Sequence, residues 1–274
     1  MSCPRIALVS VLLLTVCVLV LSAGSWGQVP HSDQVQIKPP LMRTIEPPAP
    51  DATAADLETR GDELHAQKLY LDALDYYHAA IGKSPNNARL LNKVCRTQLV
   101  MTRWHDAQKS CEHAIKADHT LANAYNNLGV ALCGEQKCGA AIRHYRKAIE
   151  LDDSAASFYS NLGAAYFSKK DFEKAASAYQ RALELDPEVF ERSSREGVQV
   201  QLAGPGDRAL YDYTVAKLYA KMGLSDQSLA HLKRAMEEGY KDFKNVYKDV
   251  EFAELRKDKR FAELIAAKIP ALPE

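Results

Sequence analysis

Between residues 54 and 188, apolar and small side chains recur every three or four positions, the spacing that lines one face of an α-helix. Two such stretches separated by a few polar residues make a block of 34 residues, and in the first block they predict helices over 57–66 and 71–81. Four columns run down the blocks at that single step: Gly61, Cys95, Gly129, Gly163; Ala73, Ala107, Ala141, Ala175; Tyr77, Cys111, Tyr145, Tyr179; and Ala80, Ala114, Ala148, Ala182. Each block closes near Pro85, His119, Asp153 or Pro187. A fixed step of this length marks a repeat protein, in which one paired-helix unit buries its apolar face against the next. The residue types fit that geometry. Small residues at the eighth and twentieth positions let the two helices of a unit approach, and a ring at the twenty-fourth fills the space beside them. Proline stops the second helix because it cannot continue the hydrogen-bond ladder. The fold class predicted is all-α, with units 1–4 over residues 54–189.

A fifth unit fits residues 209–240, with Ala216, Tyr219, Gly223, Ser228, Leu232 and Ala235 in register but displaced by 53 residues, one period plus 19. The extra residues form an insert at about 190–208. Inside it, 197–202 alternates polar and apolar before Gly204-Pro205-Gly206, a short strand signal beside a turn. An ordered loop is the favoured reading, since a lone short strand is not stable. A small hairpin, or pairing with a partner's extended segment, stays open. In the tail, 241–269, Phe243, Val246, Tyr247, Phe252, Leu255, Phe261, Leu264 and Ile265 fall at helical spacing among charges, predicting helices that cap the array.

The stretches YNNLGVAL and AAIRHYRKAIELD (residues 125–132 and 140–152) and YSNLGAAYFSKKDFEKAASAYQRALELDP (159–187) resemble units of the tetratricopeptide repeat (TPR) family. The second unit departs from that pattern, with Cys95 for glycine and Cys111 for the aromatic. The resemblance implies a right-handed superhelix of about five helix-turn-helix units, with a concave groove lined by the first helix of each unit. It also implies a role as adaptor or scaffold for another protein or peptide.

In the first 27 residues, Arg5 precedes an apolar run over 6–21 and a cluster of small residues. Ser25 and Gly27 stand three and one residues before a signal-peptidase cut ahead of Gln28. Cleavage is the favoured reading; the alternative is an uncleaved anchor over 6–23, the only membrane contact foreseen. The proline-rich stretch 28–53 reads as an extended, mobile tether. These features predict a periplasmic or secreted protein. Lys plus Arg equals Asp plus Glu, 35 each, without the basic excess that phosphate binding favours, so nucleic acid is set aside as a partner.

No nucleotide, zinc-protease or serine-hydrolase motif occurs, and no segment is long enough to be a fused catalytic domain. The chain is therefore read as a non-enzyme without cofactor or metal. Residues 111 and 113 lie about 200° apart on a helix, which argues against zinc at Cys95, Cys111, His113 and His119. Cys3 and Cys17 belong to the leader. The other four cysteines allow three pairings, and local geometry favours Cys95–Cys111 and Cys133–Cys138 in an oxidising compartment. Each crosslink would contribute up to about 2–3 kcal/mol.

In TPR units the second, fifth, sixth and ninth positions of the first helix face the groove. Here these are Arg89, Asn92, Lys93 and Arg96 in unit 2, Asn123, Asn126, Asn127 and Val130 in unit 3, and Ser157, Ser160, Asn161 and Ala164 in unit 4. Asparagine carries donor and acceptor together, so it pairs with a peptide backbone whatever the side chains, while Lys93 and Arg96 suit a carboxylate. The predicted peptide site is Arg89, Asn92, Lys93, Arg96, Asn126, Asn127 and Asn161. Glu58 and Asp62 occupy the same positions in unit 1, which does not match the carboxylate clamp of chaperone-tail binders. The rival function is a structural subunit of a secretion, pilus or outer-membrane assembly machine, bound through the convex face or the 190–208 insert.

Overall fold

Each 34-residue block folds as two helices joined by a tight turn. The computed structural model describes residues 45–191 and 205–267. Units 1–4 are α1 (Ala54–Ala66) with α2 (Tyr70–Lys83), α3 (Ala88–Val100) with α4 (Trp104–Ala117), α5 (Ala122–Gly134) with α6 (Cys138–Leu151), and α7 (Ala156–Ser168) with α8 (Phe172–Leu185). Unit 5 is α9 (Pro205–Lys221) with α10 (Ser225–Glu237). Successive helices pack on one another, and first helices also touch across units, α3 on α5 and α5 on α7. That is an α-solenoid. Every described element is helical.

The repeating columns are the contact between the two helices of a unit. A Cβ on Gly61 would lie 2.5 Å from the ring of Tyr77, and the same distance separates Gly129 from Tyr145 and Gly163 from Tyr179. All three rings are buried to within 1%. Unit 2 fills this space with the Cys95–Cys111 disulfide, whose Cα atoms are 5.3 Å apart. Unit 5 fills it with Ala216 and Leu232, both fully buried. One slot thus has three solutions: no side chain against a ring, a crosslink, or two mid-sized side chains. A second disulfide, Cys133–Cys138, closes the turn between α5 and α6 with Cα atoms 4.3 Å apart.

The turn inside each unit repeats as well. Lys68, Thr102, Gln136 and Lys170 have φ between 58° and 65°, and Gly223 takes the same place in unit 5 with φ 75°. The next residue donates its N–H back into the helix, Leu69 to Leu64 O, Arg103 to Gln98 O, Lys137 to Leu132 O, Asp171 to Tyr166 O and Leu224 to Tyr219 O, at 2.8–3.0 Å. This is the Schellman closure, which needs a left-handed residue. Four units supply it without glycine, and a β-branched residue is the least suited to it. Thr102→Gly, at an exposed position, is therefore expected to stabilise the protein by about 1 kcal/mol, read as a higher urea midpoint. An unchanged or lower midpoint would refute the strain.

The proline-rich stretch differs in part from the mobile tether expected. Residues 45–53 lie along α2: Ile45 N donates to Asp72 Oδ1 (3.2 Å), Tyr76 OH to Glu46 O (3.2 Å) and Lys83 Nζ to Pro50 O (2.9 Å). Ile45 and Ala52 pack on the core of unit 1, and Thr53 caps α1 by accepting from Asp56 N. Proline leaves these backbone groups without helix partners, and side chains of α2 supply them. The apolar run over 6–21 lies outside the described residues. Among the described residues, no helix is long and apolar enough to cross a membrane.

The alternating segment 197–202 also lies outside the described residues. At the edge of the insert, the ring of Phe190 meets those of Tyr179, Tyr211 and Tyr219 edge-on. Beside it, buried His231 of α10 faces Asp212 Oδ1 of α9 with one ring nitrogen (2.5 Å) and Glu191 Oε1 with the other (3.0 Å). Arg234 reaches the second oxygen of Glu191 (3.2 Å). The charged cluster ties both helices of unit 5 to the chain leaving unit 4.

The cap is only partly α-helical. Three short 3₁₀ turns, Phe243–Tyr247, Val250–Phe252 and Leu255–Lys257, precede α11 (Lys259–Ala266). Val246, Phe252, Leu255 and Phe261 are buried against Tyr213, Ala216 and Leu232 of unit 5. Tyr247, expected among the inward residues, is 58% exposed. Helix and 3₁₀ turn share the spacing of three, so sequence periodicity does not separate them. Arg256 donates to Val246 O and Asp249 O and so satisfies carbonyls that an α-helix would have paired internally.

Candidate peptide-binding face

Three first helices, α3, α5 and α7, stand side by side and bring the predicted asparagines together. Asn127 Nδ2 donates to Asn92 Oδ1 (3.0 Å) and Asn161 Nδ2 to Asn126 Oδ1 (3.0 Å). Each bond joins the sixth position of one unit to the fifth position of the unit before it, a separation of 35 residues. Asn126 Nδ2 donates to Asn127 Oδ1 (3.3 Å) and links the two rungs into one row. The same register continues into unit 1 as an ion pair: Lys93 Nζ lies 2.6 Å from Glu58 Oε1. Contacts at one register thus recur across four units, ionic between units 1 and 2 and amide thereafter.

This placement changes the role of several predicted residues. Asn126 and Asn127 are fully buried and Asn161 is 1% exposed, so in this structure they join neighbouring helices. Lys93 bridges Glu58 and Asp62, each at 2.6 Å, so its charge is balanced from within the chain; at this partial exposure the bridge contributes at most about 1 kcal/mol. The sequence pattern shows the two acids but does not join them to Lys93. Asp62 also accepts from Tyr77 OH (2.8 Å). Burial, and then this bond, hold the Tyr77 phenol well above its ordinary pKa. Arg96 is half-buried. Burial first, and then the charge of Arg96, keep His65 below the ordinary histidine value. Arg89 alone of the predicted set is exposed, and Asn92 is half-buried.

The face still has hydrogen-bonding capacity. An amide offers two N–H groups and two lone pairs, and half-buried Asn92 spends one lone pair in the row. Asn123, at the second position of unit 3, carries a buried Oδ1 with no hydrogen-bond partner among the described residues. Buried acceptors are nearly always satisfied, by protein or by ordered water; this oxygen is one acceptor on the face that the described residues leave open. Helical position puts Asn123 on this face, but the site predicted from sequence does not include it. Among the described residues, no group of three or more His, Cys, Asp or Glu side chains is arranged to hold a metal ion.

Comparison with known proteins agrees with the repeat step. Residues 156–189, which span α7 and α8, match the sequence model of the tetratricopeptide repeat, and residues 135–170 match a second model described as TPR repeat. Residues 135–189 carry tetratricopeptide repeat sequence. A yeast relative, small glutamine-rich tetratricopeptide repeat-containing protein 2 of Saccharomyces cerevisiae, is 30% identical over 96 residues, 35% of this chain and 28% of the relative. Among solved structures, TTC0263 of Thermus thermophilus is 21% identical, with 78% of this chain and all of that one covered and a TM-score of 0.49. MamA of Desulfovibrio magneticus RS-1, from residue 41 to its end, is 17% identical over 69% of this chain and 97% of that one, also at 0.49. TPR arrays present extended surfaces to other proteins.

Proposed function

We propose that this protein is a non-catalytic adaptor that holds an extended segment of another polypeptide along the first helices of units 2–4. The observation that carries the reading is the row Asn92–Asn127–Asn126–Asn161, with the unsatisfied Asn123 Oδ1 beside it. A row of amides fixed by mutual hydrogen bonds costs little further ordering when a ligand arrives. The half-buried amides on this face, Asn92 and Asn123, are the ones a ligand reaches, and their donors and acceptors match a peptide backbone and are indifferent to sequence. Selectivity then comes from the flanks: exposed Arg89 attracts an acidic residue, while Glu58 and Asp62 already balance Lys93. Work outside the cytoplasm, in the periplasm or as a secreted or anchored protein, is part of the proposal. The apolar leader and two disulfides within the solenoid support it.

The test is a photo-crosslinking residue at position 89, followed by calorimetry of the captured partner's contacting peptide. Asn92→Ala and Arg89→Glu are each expected to weaken that peptide by about tenfold, the scale of one charge-assisted or amide contact. A peptide that binds both variants as well as the unaltered protein would overturn the assignment of this face.

A further inference from the structure

The other side of α7 carries a second feature that the asparagine row does not use. Tyr159, Leu162 and Tyr166 project about half a turn away from Ser157, Ser160, Asn161 and Ala164. They line a cleft of about 600 Å³ between α6, α7 and α8. All three cation–π contacts among the described residues fall in this one cleft. Arg146 lies 5.9 Å and Lys174 5.6 Å from the Tyr166 ring centroid, and Arg181 lies 5.9 Å from that of Tyr159.

The three cations are not equivalent. Lys174 pairs with Asp171 and Arg181 with Glu184. Arg146 has no carboxylate within ion-pair distance among the described residues; it donates to Tyr166 OH at 2.6 Å. A guanidinium has five N–H donors in a planar fork, and this one is held in place by the phenol and ring while its head stays exposed. The lining as a whole has three cations and one carboxylate, Glu184, around an apolar floor that includes Leu162 and Ala178.

We propose that this cleft is a second docking site, for an acidic peptide segment whose carboxylate meets Arg146 and whose neighbouring apolar side chain lies between Tyr159 and Tyr166. Charge decides the occupant: a planar, unpaired guanidinium beside two further cations favours a carboxylate in bidentate contact. The tyrosine walls supply apolar area and polar edges at low ordering cost. The site is separate from the asparagine row, so one chain holds two segments, on opposite sides of unit 4.

The test uses the full chain and two fluorescein-labelled decapeptides, one alternating Glu and Leu, the other alternating Gln and Leu. Saturable binding of the Glu peptide is expected, with the Gln peptide at least tenfold weaker. Arg146→Glu should lower affinity for the Glu peptide at least tenfold and Arg146→Lys less, because lysine keeps the charge and loses the fork. The effect of Arg146→Glu should persist in an Arg89→Glu, Asn92→Ala background, where the asparagine face is already weakened for an acidic peptide, which separates the two sites. Equal binding of the two peptides, no saturable binding, or an affinity lowered by Arg89→Glu and untouched by Arg146→Glu would each overturn the proposal. Arg146 is exposed, so its variants keep the fold; unchanged circular dichroism is the check.

Discussion

Gly129→Val is expected to destabilise the protein by about 2–3 kcal/mol, the upper range for overpacking a core, seen as a lower urea midpoint. A β-carbon at this position would meet ring atoms of Tyr145 at 2.5–2.8 Å, and that ring is fully buried. Because the obstacle is a rigid ring in a packed interior, it cannot swing aside as the tip of a lysine would. Helix propensity opposes the effect only weakly, since valine gains a few tenths of a kcal/mol over glycine. Two comparisons isolate the cause. A β-carbon added at Gly82 or Gly139 would have nothing within 4 Å, so alanine at either should stabilise by up to about 1 kcal/mol. Unit 5 accommodates a side chain in this slot by pairing Ala216 with Leu232. The pair Gly129→Ala and Tyr145→Leu should therefore be less damaging than the two single changes added together. Strict additivity would mean that the two positions do not compete for one space.

Removal of the Cys95–Cys111 bond is expected to cost about 3 kcal/mol or more. The bond closes a loop of 16 residues in sequence separation, for which constraint of the unfolded chain supplies about 3 kcal/mol. Both cysteines are fully buried, so the Cys95→Ala, Cys111→Ala double variant also loses packing. The repeat offers a control for the second effect. Cys95→Gly with Cys111→Tyr restores the pair that units 1, 3 and 4 use, and should recover part of the loss while responding to reductant only through the remaining Cys133–Cys138 bond. Denaturation with and without dithiothreitol reads both. A midpoint that reductant does not move in the unaltered protein would refute a stabilising role for the bond. The loop between Cys133 and Cys138 is shorter, with a separation of 5 residues, and its removal should cost less.

The repeat was readable because the slot between paired helices constrains volume. Gly61 with Tyr77, and its counterparts in units 3 and 4, recur at one step along the sequence. The left-handed turn was not readable, because Lys68, Thr102, Gln136 and Lys170 take a conformation that glycine usually signals. Residues 45–53 lack any hydrophobic period, and what holds them is a set of polar contacts from α2 that begins with Asp72, 27 residues away. On the candidate face, helical position groups the asparagines on one side of their helices but does not show what they contact. The bonds join residues 35 apart, one more than the repeat step. A reading that compares equivalent positions aligns Asn92 with Asn126 and so passes over the neighbour that each one meets. The ion pair of Lys93 with Glu58 lies at that same offset and is passed over in the same way.

Both sulfur bridges close within a single helical hairpin, α3–α4 and α5–α6, and neither joins one hairpin to the next. Under a pulling force the array can still peel apart hairpin by hairpin, because only packing and polar contacts hold the seams. The second and third hairpins, however, cannot release their full contour: the chain between each bridged pair stays looped however hard the ends are drawn. A partner that tugs on this protein would therefore meet soft joints between stiff, shortened links.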